Sequence, residues 1–163
     1  MNADFTSLLE RLAEAGIEFV LVGGFAGVVH GCSYVTQDID ISCDFSPDNL
    51  LTLQKTLSKL EPVHRMTPNR QKLHLTKENC TDFKNLYLDT KMGQLDCLSF
   101  IKGVGDYKHI KQASRTMKLG KAKIRVLNLD ALIKSKKAMG RPRDIQAVIQ
   151  LEAIKNLKNK KTR

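Results

Sequence analysis

Phe19-Val20-Leu21-Val22-Gly23-Gly24-Phe25 and, shortly after it, Thr36-Gln37-Asp38-Ile39-Asp40-Ile41 decide how the rest of the chain is read. Ile17 and the run from Phe19 to Val22 form an apolar stretch with the length of a buried strand. The run breaks at Gly23-Gly24, and residues 25–31 read as a short helix. Glycines at a strand-to-helix turn let backbone N–H groups approach a ligand closely. The positive end of the helix behind them favours an anion such as phosphate. Asp38 to Ile41 is strand-like again. Alternation puts both carboxylates on one face, about 6.5–7 Å apart along the strand, and both isoleucines on the other. Two anions on one face repel each other and resist desolvation, and a divalent cation relieves both costs.

Outward from this stretch the pattern alternates between helix and strand. Phe5, Leu8, Leu9, Leu12 and Ala15 have helical spacing, and Gly16 is a natural stop. Ser46-Pro47 is a hydroxyl cap followed by proline at the first helical position. Leu50, Leu53, Leu57 and Leu60 then predict an amphipathic helix over residues 47–60. Strand, helix, strand, helix points to an α/β core. Pro62 and Pro68 interrupt residues 61–83, where Leu73-His74-Leu75 is the one strand candidate.

Leu86 to Asp89 and Gln94 to Phe100 read as a hairpin. Its second strand carries Asp96 between apolar neighbours, and a lone charge there is expensive unless it is paired. Residues 101–113 read as loop and short helix, and residues 116–119 and 124–127 as a second hairpin. Asn128 caps a helix over residues 129–139 that Gly140 ends. Leu129, Leu132, Ile133 and Lys136 share its inner side, so Lys136 needs an anion. Pro142 opens a last helix over residues 143–157, with Ile145, Val148 and Ile149 as its expected buried stripe. His64, His74 and His109 are isolated and take no assigned role.

The 163 residues are 42% hydrophobic and 27% charged, the composition of a globular domain able to bury a sizeable core. No apolar run approaches the roughly 20 residues of a membrane span, and no signal-peptide pattern is recognised, so a cytoplasmic protein without a membrane partner is expected. Cys32, Cys43, Cys80 and Cys97 lack zinc-ligand spacing and are expected as reduced thiols. Charge is uneven. Residues 1–100 hold 9 Lys/Arg and 13 Asp/Glu, and residues 101–163 hold 18 and 4, a net −4 followed by +14. The basic C-terminal third suits a polyanion, either a nucleoside triphosphate or RNA. A single domain over residues 1–157 with a disordered basic tail over residues 158–163 is expected.

Strand, Gly-Gly, helix and Asp-x-Asp at this spacing resemble the signature of the DNA polymerase β-like nucleotidyltransferase superfamily. Within it the chain is similar to the small stand-alone members and to the toxin-type enzymes of abortive-infection systems. The stretch from Leu132 through Lys136 to Gly140-Arg141-Pro142-Arg143-Asp144-Ile145 resembles their C-terminal element. The resemblance implies an α/β (α+β) nucleotidyltransferase fold, a mixed sheet flanked by helices with a helical C-terminal element. It implies Asp38, Asp40 and Asp96 as metal-binding and catalytic carboxylates, with Asp89 the fallback for the third. Two Mg²⁺ ions, or Mn²⁺ in their place, are implied about 3.5–4 Å apart. Gly23, Gly24 and Lys136 are placed at the phosphates of a nucleoside triphosphate, ATP among them, with Arg143 and Asp144 in support. Asp144 reads equally well as a favourable charge at a helix N-terminus.

The implied reaction moves a nucleoside monophosphate to an acceptor, RNA or tRNA first, and releases pyrophosphate. The alternative is an inactive nucleotidyltransferase-fold module that binds RNA or protein, as an antitoxin-like partner does. One departure stands out. Relatives often carry arginine two positions before the threonine of Thr-x-Asp-x-Asp, and this chain has Tyr34 there.

Overall fold

A computed structural model describes residues 4–162. Asp4 caps the first helix, its carboxylate accepting from the Ser7 N–H at 3.0 Å, and α1 (Phe5–Glu14) turns Leu8, Leu9 and Leu12 wholly inward. Gly16, at φ +76°, takes the left-handed turn that ends it. There follow β1 (Phe19–Val22), α2 (Gly23–His30), β2 (Asp38–Cys43) and α3 (Pro47–Leu57), the last extended by a 3-10 turn to Leu60. The two-residue β3 (Val63–His64) leads through irregular chain to the hairpin β4 (Asn85–Thr90) and β5 (Gly93–Leu98). A small hairpin, β6 (Phe100–Ile101) and β7 (Gly105–Asp106), precedes α4 (Tyr107–Gln112). The second long hairpin, β8 (Ser114–Leu119) and β9 (Ala122–Leu127), feeds α5 (Leu129–Met139) and α6 (Pro142–Lys161).

Seven strands form one mixed sheet in the order β3-β4-β5-β2-β1-β9-β8. The apolar run that opens the chain's central motif is an interior strand of this sheet: all four residues of β1 are buried, as both faces are covered. β1 is antiparallel to β2 and parallel to β9, and β2 is parallel to β5. Ile39 and Ile41 face the core at 0% exposure, which leaves Asp38 and Asp40 on the opposite face. Asn49, at the start of α3, ties down the far end of the β1–β2 pair. Its Oδ1 accepts from the Glu18 N–H at 2.8 Å and its Nδ2 donates to the carbonyls of Glu18 and Asp44. Among the described residues no helix is long and apolar enough to cross a membrane.

The structure departs from the sequence reading at four places. The helix after β1 starts at Gly23, with Val22 as its cap, and not at residue 25. Leu73 to Leu75 is not a strand. It is held as irregular chain by Leu73 N–H on the Pro62 carbonyl and by the Gln54 side chain, which bonds both the N–H and the carbonyl of Leu75. The buried stripe of α6 is Asp144, Ala147, Val148 and Leu151, whereas Ile145 and Ile149 are 54% and 58% exposed. The stripe begins on a charged residue, so a purely apolar reading of the helix is rotated off its true face. Finally, α6 continues through residues 158–161, assigned above to a tail. Residues 1–3 and Arg163 lie outside the described range.

Truncation separates the two faces of α6. Leu151→Ala is expected to lower the unfolding free energy by about 2–5 kcal/mol, and Ile149→Gln to change it by less than about 0.5 kcal/mol, read by urea denaturation.

Candidate functional site

Register builds the site. In the parallel pair β2–β5, Asp38 is opposite Gln94 and Asp40 is opposite Asp96. Residues that are neighbours across a sheet point to the same face, so Asp96 joins the face on which alternation had already put Asp38 and Asp40. One carboxylate oxygen from each of the three can be chosen so that all lie within 4.8 Å of one another. Among the described residues this is the one such group of potential metal ligands.

The helix start abuts this cluster. A Cβ placed on Gly23 would fall 2.2 Å from Asp40 Oδ2, so only glycine lets the carboxylate lie against the first turn of α2, and φ +67° suits glycine for the same position. No side chain caps the N-terminus of α2, which leaves its first N–H groups to a ligand or solvent. At Gly24 the missing side chain makes room for the neighbouring loop. A Cβ there would meet Thr36 Cγ2 at 2.6 Å, and one on Gly27 would meet the Tyr34 hydroxyl at 1.8 Å. The loop between α2 and β2 packs into both spaces. Tyr34 is a packing residue over α2, and Thr36 fills the space over the Gly24 α-carbon.

The cations come from three directions. Lys136 of α5, 16% exposed, lies 3.4 Å from Asp144 Oδ1 and acts electrostatically on Asp40. Asp144 is fully buried, and Arg141 holds it through its backbone N–H (3.2 Å), Nε (2.6 Å) and Nη2 (3.2 Å). Burial alone would raise the Asp144 pKa. The Arg141 hydrogen bonds and Lys136 outweigh that cost, and the carboxyl sits below its ordinary value. The third cation is Arg65, just past β3, whose two terminal nitrogens bind both oxygens of Asp96, one of them at 2.8 Å. Its guanidinium stands 5.5 Å from the centroid of the Tyr87 ring.

The structure therefore brings together Asp38, Asp40, Asp96, Gly23 and Lys136, with Asp144 attached through Lys136. Arg143 is exposed and joins no ion pair among the described residues, and Arg141 is the arginine that grips Asp144. Asp89, the alternative third carboxylate, is taken by Arg70 at 2.5 Å. Sequence reasoning missed Arg65 and Arg141. A buried Asp96 signals that a cation must exist, but nothing local says which of the chain's many basic residues supplies it.

Three carboxylates in so small a volume do not all ionise easily. Burial, then Asp38 and Asp96, push the pKa of Asp40 up to about 7, although Lys136 and Arg65 oppose the rise. The folded protein therefore holds a proton that the unfolded chain releases near pH 4. The metal-free fold loses stability from this group as pH rises from about 4 through 7. Asp40→Asn removes that loss. In EDTA the substitution is expected to stabilise the protein by up to about 4 kcal/mol at pH 8 and to be close to neutral below pH 4, read from melting temperatures across the range.

No protein-family model matches the sequence, and no curated protein matches it. Solved structures do share its fold. The lincosamide antibiotic adenylyltransferase LnuA, bound to lincomycin, superposes with a TM-score of 0.62 at 15% identity, over 94% of this chain and 99% of that one. ANT(2'')-Ia in complex with adenylyl-2''-tobramycin gives 0.56 at 13%, over 94% of each chain. An antigenic nucleotidyltransferase-like protein from Paracoccidioides brasiliensis gives 0.55 at 16%, over 90% of this chain and 72% of that one. Among the described residues, the mixed seven-stranded sheet with its six helices is the nucleotidyltransferase fold.

Proposed function

From that fold and the geometry on its sheet, we propose that the protein transfers a nucleoside monophosphate from a nucleoside triphosphate to an acceptor hydroxyl. The observation that carries this is the β2–β5 register, which sets Asp96 beside Asp40 and closes the carboxylate cluster at the uncapped start of α2. The residues fit a divalent metal: three hard oxygen donors converge, and Asp40 is desolvated among like charges that a cation would offset. Asp38, Asp40 and Asp96 would hold Mg²⁺ or Mn²⁺. When bound, such ions neutralise phosphate charge and lower the pKa of an attacking hydroxyl.

The chain's own groups supply the rest. The first-turn N–H groups of α2 and the Lys136 ammonium accept the charge of the triphosphate tail. Asp144, pinned by Arg141, keeps Lys136 on the inner side of α5. Asp96 takes the proton of the acceptor hydroxyl. A bond forms between that oxygen and the α-phosphorus, the bond to the bridging oxygen breaks, and pyrophosphate leaves. Positioning and charge stabilisation account for most of the rate, as phosphoryl-transfer chemistry asks little covalent work of a protein.

RNA, tRNA first, is the acceptor that charge favours. On one face of the β8–β9 hairpin Lys118 lies directly opposite Lys123, and Thr116 opposite Arg125. All four side chains are exposed, as are nearby Arg115 and Lys121. Like charges placed directly opposite are unfavourable on their own and suit a surface that meets phosphates. A small-molecule acceptor is the second reading. It is favoured by the lincosamide and tobramycin chemistry in the names of LnuA and of the ANT(2'')-Ia complex.

Incubation with each α-labelled NTP, Mg²⁺ and total RNA tests the first reading. Label is expected on RNA, and Asp40→Asn is expected to lower transfer by at least about 10³-fold, because the carboxylates act as a unit. Full transfer by Asp40→Asn would remove the assignment. The hairpin is tested separately by Lys118→Gln/Lys123→Gln. This pair is expected to weaken RNA binding and to flatten its dependence on salt by about one to two ion equivalents.

A further inference from the structure

Arg65 has no part in the chemistry just described, yet it is the residue most intimately bonded to it. Its fork takes both oxygens of Asp96, and the pair is secluded, with side-chain exposures of 18% and 8%. Two further anions face the guanidinium, Asp38 from β2 and Asp89 from β4. The Arg65 backbone is fixed, its N–H donating to the Tyr87 carbonyl at 3.0 Å, while its side chain lies over the Tyr87 ring beside a two-residue edge strand. A guanidinium fork uses the in-plane lone pairs through which a carboxylate also reaches a metal. Asp96 is therefore committed to Arg65 or shared with Asp38 and Asp40 around a cation, and cannot serve both fully.

We propose that Arg65 is an exchangeable counter-ion for the acidic cluster. It neutralises Asp96 while the divalent site is empty, and swings off across the Tyr87 ring when a cation takes its place. Arg65 is in this sense a positioning residue, setting when Asp96 is free as ligand and proton acceptor. The exchange presupposes the metal site proposed above. The more ordinary role for a residue bonded to a metal ligand is to orient it, and losing such a partner weakens metal binding about 10- to 100-fold. Exchange demands the opposite sign.

Mn²⁺ binding to the metal-free protein, followed by loss of the free-ion EPR signal, distinguishes the two. Arg65→Met is expected to bind Mn²⁺ at least about tenfold more tightly than wild type, the effect of deleting one positive charge a few ångströms from the site. Its melting temperature is expected to fall in EDTA and to recover in Mn²⁺ by more than that of wild type. Unchanged or weaker binding by Arg65→Met overturns the exchange. Asp38→Asn separates the two levels of the claim. If neither wild type nor Arg65→Met binds Mn²⁺, or if Asp38→Asn leaves binding intact, the metal site and the exchange both fall. Binding that Asp38→Asn abolishes and that is indifferent to Arg65 sinks the exchange alone. Should Arg65→Met not fold, wild type still decides the matter. In a Mg²⁺ titration the Arg65 guanidinium NMR signals, assigned with Arg65→Lys, are expected to shift and lose their restricted rotation. Signals that stay at their metal-free positions at saturation overturn the exchange.

Discussion

Everything in this molecule that bears on chemistry depends on one alignment, the parallel pairing of β2 with β5 that makes Asp40 the direct neighbour of Asp96. A slip of one residue would send Asp96 to the isoleucine side of the sheet and bury a charge among aliphatic side chains. The pairing is guarded accordingly. Ile39 and Leu95 are opposite each other, as are Ile41 and Cys97, and all four have no exposed surface. The hydrophobic effect thus specifies a register whose other face gathers like charges. The stability cost of that gathering is carried by the core behind it.

The two C-terminal helices are tied to each other by charge as well as by apolar packing. Asp144, with no exposed surface, heads the inward stripe of α6, and its carboxylate is shared by Arg141 within the same helix start and Lys136 on α5. A carboxylate at that depth is tolerable only with its partners present. The α5–α6 turn, with Gly140 at φ +67° and Pro142 opening the next helix, fixes the geometry that brings those partners in. The ammonium that faces Asp40 is therefore located by a structure more than a hundred residues downstream of it in sequence.

Local chemistry was readable in the sequence and long-range pairing was not. The Asn128 and Ser46 caps, the Gly16 and Gly140 stops and both long hairpins follow from signals a few residues wide, and the structure contains each of them. Asp38 and Asp40 were found because alternation alone puts them on one face. Asp96 was found because a charge in an apolar strand needs a reason. Arg65 lay in a stretch broken by two prolines, where periodicity carries no information, and its partner is 31 residues away. Ile145 and Ile149 misled because hydrophobicity was taken as the marker of burial in a helix whose inner stripe starts with an aspartate. The family pattern points to Arg143, whereas Arg141 is the residue paired with Asp144. The capping geometry that selects Arg141 emerges only once the turn has folded.

The open edges of the sheet carry a consequence of their own. Any strand at a border offers unpaired backbone groups on which a second molecule can continue the ladder, the usual route to fibrils and insoluble aggregates. One border here is β3, too short at two residues to template anything. The other is β8, long enough to be hazardous but bearing exposed Arg115 and Lys118, with Lys121 at its turn. Stacking a second copy against it would set these cations against the same cations. The charges of the basic hairpin thus oppose edge-to-edge stacking of copies of a chain whose net charge is +10.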